Sequence, residues 1–193
     1  SLDLDAASLM RSVALDRVDL SDSQALIPAS AVTELLERSA EVSGLEDFGL
    51  RLATTRNLAH VGPVGLLLRE EPTVGDALRA AERYFRLYSE TLAFRLDQYE
   101  KIAVVRIAYL AVSRGKTRQV TEMTMGTVFR TFSALAGKWW APESISFSHS
   151  APAGSTIHAS FYKTNMKFDD SFNGFVLHAS DLVANASRHR RLN

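Results

Sequence analysis

The stretch TVGDALRAAERYFRLY at positions 73–88, followed by TLAFRLDQYEKIAVVRIAYL at 91–110, decides the fold. In the first half Val74, Ala77, Leu78, Ala81, Phe85 and Tyr88 recur at spacings of three and four, which makes one buried helical stripe. Thr73 stands as an N-cap, and Asp76 three residues on completes a capping-box pattern, with Asp in place of the usual Glu. In the second half the period changes. Residues 91–96 alternate in part, and residues 102–110 are rich in β-branched side chains. The polar run 97–101 between them reads as the turn of an antiparallel hairpin. Val105, Ile107 and Tyr109 then share one face, and Val104, Arg106 and Ala108 the other.

Outward from this unit, the chain before it is helical. Residues 2–14 carry a first helix with two early aspartates, and 18–26 is a polar connector. Pro28 opens a second helix that runs to Ser43 and stops at Gly44. Residues 46–55 make a short third helix burying Phe48, Leu50 and Leu52, and Gly62-Pro63 marks a bend into another apolar turn. After the hairpin, residues 117–136 form a long helix with Val120, Met123, Thr127, Val128, Phe132 and Leu135 inward, ending at Gly137. Residues 144–149 read as a strand, 152–161 as a short helix, 167–168 and 174–177 as short strands, and 179–188 as a last helix. The expected class is α+β: N-terminal helices, then a small antiparallel sheet covered by helices. The expected organisation is a helical part over residues 1–58 and an α+β core over 59–193, joined as one integrated domain.

Composition narrows the function. The 193 residues hold 22 basic and 22 acidic side chains and no cysteine. Zero net charge argues against direct binding to nucleic acid, where phosphate neutralisation supplies much of the affinity. No cysteine means no disulfide and no thiolate metal site, in keeping with a reducing, cytoplasmic setting. No apolar run reaches the ~20 residues of a membrane helix. Ser1 stands where a methionine is expected and reads as a tag remnant or a cut edge.

No motif announces catalysis. The glycines near His60 lack the Lys-Ser or Lys-Thr of a phosphate loop. His60, His149, His158, His178 and His189 show no zinc-type spacing. Ser148 and His149 are neighbours on a strand and point apart, which suits no Ser–His pair. An enzyme would instead need one of His149, His158 or His178 beside a buried carboxylate in a cleft. No cofactor and no metal are expected. Most aromatics read as core. A helix-on-sheet layer could still enclose a small ligand between the Thr73 helix and the hairpin, with Tyr84, Tyr88, Arg106 and Trp139 as the candidate contacts. The basic cluster Arg188, His189, Arg190 and Arg191 suits a helix end or the start of a linker.

The run 60–68, the run 71–78 with Tyr84 and residues 87–89, then 145–153, 166–169 and 173–177 with Asp181-Leu182, together resemble the arabinose-binding-like N-terminal domain of AraC-family transcription regulators. The resemblance covers nearly the whole chain, and it rests on the order and spacing of motifs that are individually weak. Two departures stand out. Thr164-Asn165-Met166 replaces a Cys-Pro-Val type step, and His60 replaces a usual leucine. The resemblance implies a domain that senses a small effector or pairs with a second copy, and that governs DNA only through a separate helix-turn-helix domain. It implies neither arabinose as the effector nor any particular effector-binding residue. A ligand-independent self-association module is the alternative, and a small-metabolite enzyme a more distant one.

Overall fold

The computed structural model describes residues 4–19, 21–22, 25–89, 91–109, 116–137, 140–154 and 156–186, the side chains of Ala59, Leu87 and Tyr88 excepted. Its elements run α1 (Ala6–Ser12), α2 (Ala29–Ser43), α3 (Phe48–Thr55), a 3-10 turn (Leu58–Val61), α4 (Pro63–Glu70) and α5 (Val74–Tyr88). Then come β1 (Leu92–Gln98), β2 (Ile102–Tyr109), α6 (Arg118–Ala136), β3 (Ser144–Ser146), α7 (Thr156–Tyr162), β4 (Asn165–Lys167), β5 (Asn173–His178) and a second 3-10 turn (Ala179–Val183). The class is α+β, as expected.

Local chemistry sets the boundaries. The Asp5 carboxylate accepts from the Ser8 N–H at the start of α1. Gly44 ends α2 in the left-handed region, at φ 66°, where a side chain is disfavoured. At α5 the Thr73 hydroxyl accepts from the Asp76 N–H at 3.1 Å and donates to the Asp76 carboxylate at 2.6 Å. The shorter Asp thus binds the cap's hydroxyl rather than its backbone.

The five strands are ordered β1-β2-β5-β3-β4. Every pair is antiparallel except β3 with β4, which is parallel. The expectation of a purely antiparallel sheet is corrected here. Residues 147–164, with α7, form a crossover that brings the chain back in the same direction. The expected last helix, 179–188, is also corrected. Over the described residues 179–186 the chain makes a 3-10 turn, and Asn185 then bridges to Thr73. The basic cluster 188–191 lies outside the described residues.

The core lies between the sheet and α4, α5 and α6. Phe85 meets Phe94 at 5.6 Å between ring centroids, and Phe94 meets Phe132 at 6.2 Å. Helix α6 is buried on nearly all sides, with Gln119, Thr121, Glu122, Thr124, Met125, Gly126 and Thr131 buried as well as its apolar residues. A single inward stripe on this helix was expected, so the structure widens that reading. Met123 and Thr127, expected inward, are half-buried. On one side α3 approaches so closely that a Cβ on Gly49 would lie 2.0 Å from the Gln119 carbonyl oxygen, and one on Gly126 2.5 Å from the Ala53 Cβ. A central helix with sheet and helices around it buries polar as well as apolar residues, and that explains its mixed composition.

Candidate functional site

Two sites flank α6. The first is a pocket of about 150 Å³ lined by Arg56, His60, Val61, Phe85, Leu92, Met123, Thr124, Thr127, Val128 and Thr131. It sits between the end of α5, the start of β1 and one side of α6, with the segment after α3 at its edge. Its walls are mostly apolar. Its polar groups are three threonines, one arginine and one histidine, the mix of an apolar surface with a few anchors that small-ligand sites show.

The threonines differ. The Thr127 hydroxyl donates to the Met123 carbonyl at 2.7 Å. The Thr124 side chain hydrogen-bonds with Tyr109, whose phenol burial pushes above its ordinary range. Thr131 is 1% exposed, and its hydroxyl has no partner. The Arg56 carbonyl accepts from the Arg130 guanidinium, so its backbone is held. No carboxylate pairs with the Arg56 guanidinium among the described residues. His60 Nδ1 lies 2.8 Å from the Asn57 side-chain oxygen.

The second site is buried on the opposite side of α6. Glu122 has no exposed surface, nor has His158 of α7. His158 Nε2 lies 3.1 Å from Glu122 Oε1, Arg118 Nε 3.4 Å and His149 Nε2 3.6 Å. The histidine contacts are poorly aligned. Glu122 Oε2, both His158 ring nitrogens and the Tyr162 hydroxyl lack hydrogen-bond partners among the described residues. Phe147 meets His158 edge-on at 6.2 Å and stacks on Phe168 at 5.2 Å. Burial is the main force on His149, and it lowers the imidazole below its usual value. Burial, and secondarily the Glu122 carboxylate, holds the Tyr162 phenol well above its own. Sequence reasoning missed this site. Here His149 and His158 do lie beside a buried carboxylate. Glu122 and His158 are fully buried, while the His149 side chain keeps 16% of its surface exposed. Ser148 turns the other way, its N–H and hydroxyl both bonded to the Asn173 side-chain oxygen. Among the described residues no three His, Cys, Asp or Glu side chains could together hold a metal ion.

Of the four residues expected to contact a ligand, Tyr84 and Arg106 are described, and they stand on different faces of the fold. Arg106 lies on the sheet face away from α5 and α6, because its neighbours Val105 and Ile107 point into the core. There it faces Arg95 across the strands. Asp97 separates the two charges, accepting from Arg95 Nε at 2.7 Å and from Arg106 Nε at 3.0 Å. Those bonds, that to Arg95 foremost, hold the Asp97 carboxyl below its usual range. The Arg106 guanidinium also covers the Phe172 ring, 4.4 Å from its centroid. Tyr84 packs against the main core from α5 and does not line the pocket. Trp139 and the Tyr88 side chain lie outside the described residues. The pocket does touch the two elements singled out from sequence, through Phe85 and Leu92 instead.

Comparison with known proteins agrees with this architecture. Residues 4–185 match the family described as the arabinose-binding domain of AraC transcription regulators, N-terminal. The chain is 26% identical over 153 residues to the HTH-type transcriptional regulator VirS of Mycobacterium tuberculosis, in two strains, which covers 78% of this chain and 45% of that protein. Its fold is similar to that of the transcriptional regulator CdpR from Pseudomonas aeruginosa, with a TM-score of 0.67 at 16% identity, over 93% of this chain and 56% of that one. The chain thus spans about half the length of the relatives it matches. A family match over nearly every described residue shows that this chain belongs to the arabinose-binding N-terminal domain family of AraC transcription regulators.

Proposed function

We propose that the chain is the effector-responsive part of a cytoplasmic AraC-type regulator, and that the effector enters the pocket between α5, β1 and α6. The observation that carries this is the pocket itself: apolar walls, a few polar anchors, and an unpartnered buried hydroxyl at Thr131. A ligand that prefers one arrangement of α5 and α6 shifts the population toward it, and a DNA-binding domain elsewhere in the regulator reads the shift. The role proposed is one of binding: the pocket is lined by apolar side chains, three threonines, an arginine and a histidine, and by no carboxylate.

A thermal-shift screen of amino acids, sugars and organic acids tests the proposal. Stabilisation that grows with ligand concentration is expected, as binding linkage requires. It should vanish in Val128→Phe, which fills the pocket. If no class moves the melting temperature, or if Val128→Phe responds as the parent does, the pocket is not the sensor.

Self-association is a second reading, favoured by Leu66 and Leu67, which stand 65% and 46% exposed side by side on α4. Light scattering across concentration checks it. A dimer that falls apart in Leu66→Asp supports the reading, and a monomer at every concentration removes it.

A further inference from the structure

The pocket's shape and charge specify a class of effector, an inference that rests on the sensor reading above. Size comes first. A pocket of 150 Å³ is small. Apolar protein cavities of about that volume take up benzene, so the body of the ligand is a single ring or a compact branched chain. The walls come second. Val61, Phe85, Leu92, Met123 and Val128 offer no hydrogen bonds from their side chains. A polyol placed against them would leave hydroxyls unpaired, and each would cost free energy. Charge comes third. None of the lining residues is acidic, while Arg56 and His60 are both basic. Arg56 has no ion-pair partner among the described residues. His60 has Nδ1 engaged by Asn57. Exposure orders these groups. Thr131 is buried at the inner end, Arg56 is half-buried, and His60 is exposed at the rim.

We infer that the effector is a small organic carboxylate with a ring-sized apolar body. Its carboxylate lies at the rim against Arg56 and His60. Its body packs on Phe85, Leu92, Met123 and Val128. An arginine left without a carboxylate beside an apolar pocket is suited to this, since a planar guanidinium and a carboxylate match in both charge and geometry.

Benzoate and its uncharged counterpart benzyl alcohol serve as probes, titrated calorimetrically at constant ionic strength into the parent chain, Arg56→Gln and Val128→Phe. Benzoate should bind the parent on the order of tenfold more tightly than benzyl alcohol does, and Arg56→Gln should erase that preference. Val128→Phe should bind neither probe. Intermolecular nuclear Overhauser contacts from the benzoate ring to Phe85 and Val128 protons in the parent chain give the location without relying on the filled variant. Equal affinity for the two probes, or an unchanged preference in Arg56→Gln, overturns the carboxylate assignment. Loss of binding in Val128→Phe would then still leave the pocket as the sensor. Failure of both probes to bind the parent overturns the assignment too, and the wider screen separately decides the sensor reading. Overhauser contacts to other residues overturn both.

Discussion

Helix α6 meets the rest of the molecule in two opposite ways. One side carries Met123, Thr124, Thr127, Val128 and Thr131 and borders a pocket. The other carries Arg118 and Glu122 and is packed solid against two histidines and a nest of aromatic rings. The residues alternate along one helix at the 3.6 period, so sides half a turn apart meet different surroundings. The lesson is that polarity alone does not mark a binding site. The more polar side buries Glu122 and His158 completely, and there charges serve packing and register. The less polar side has room.

Experiments can break this contrast. The largest effect is expected from Glu122→Ala. Removing the carboxylate leaves Arg118, His149 and His158 without their shared partner, and the loss of stability should be about 3–5 kcal/mol in urea unfolding. A loss below about 1 kcal/mol would mean that these charges are screened as surface pairs are. Next in size is Gly126→Ala. Its Cβ would fall 2.5 Å from the Ala53 Cβ and push α3 away from α6, costing about 1–3 kcal/mol. An undiminished melting temperature would show that α3 yields freely.

Acidification is expected to act on the charged side. Burial depresses the folded-state His149 below 6.5, while the unfolded chain titrates near that value. The unfolded state therefore binds more protons as the pH falls through this range, so the His149 contribution stands at neutral pH and is lost on acidification. The melting temperature should fall between about pH 7.5 and about pH 5.5, and His149→Gln should fall less over the same interval. Parallel curves for the two would remove His149 from the account. The smallest effect belongs to the pocket side. Thr131→Val exchanges an unpartnered hydroxyl for a methyl group and should change stability by less than about 1 kcal/mol, in either direction. A larger loss would reveal a hydrogen bond at that hydroxyl.

Much of the fold was legible because its punctuation is local. Thr73 with Asp76, Pro28 with Gly44, and Gly62-Pro63 each fix an element boundary within a few residues, through caps and turns that need no tertiary partner. The 179–188 helix was misread because its end is decided by distant backbone: the Val74 N–H donates to the Ala184 carbonyl and the Ala186 N–H to the Pro72 carbonyl. Arg106 shows the same limit in a candidate contact. Strand alternation correctly separates it from Val105 and Ile107, but which face the helices cover is settled only by packing. Glu122 and His158 lie far apart in sequence, and spacing does not show that they meet. One signal was present. Glu122 is the lone acidic residue of a 19-residue helix made largely of apolar and small residues, and such a carboxylate needs a buried partner.

The latch that holds residues 184–186 against the start of α5 has a mechanical consequence. Asn185 bridges Thr73 at the helix's first cap, while Phe85, three turns on, forms part of the pocket wall. The 15 residues of α5 make a stiff rod about 22 Å long. A rod of that length ties the Phe85 wall of the pocket to the residues 184–186 that are bonded at its opposite tip.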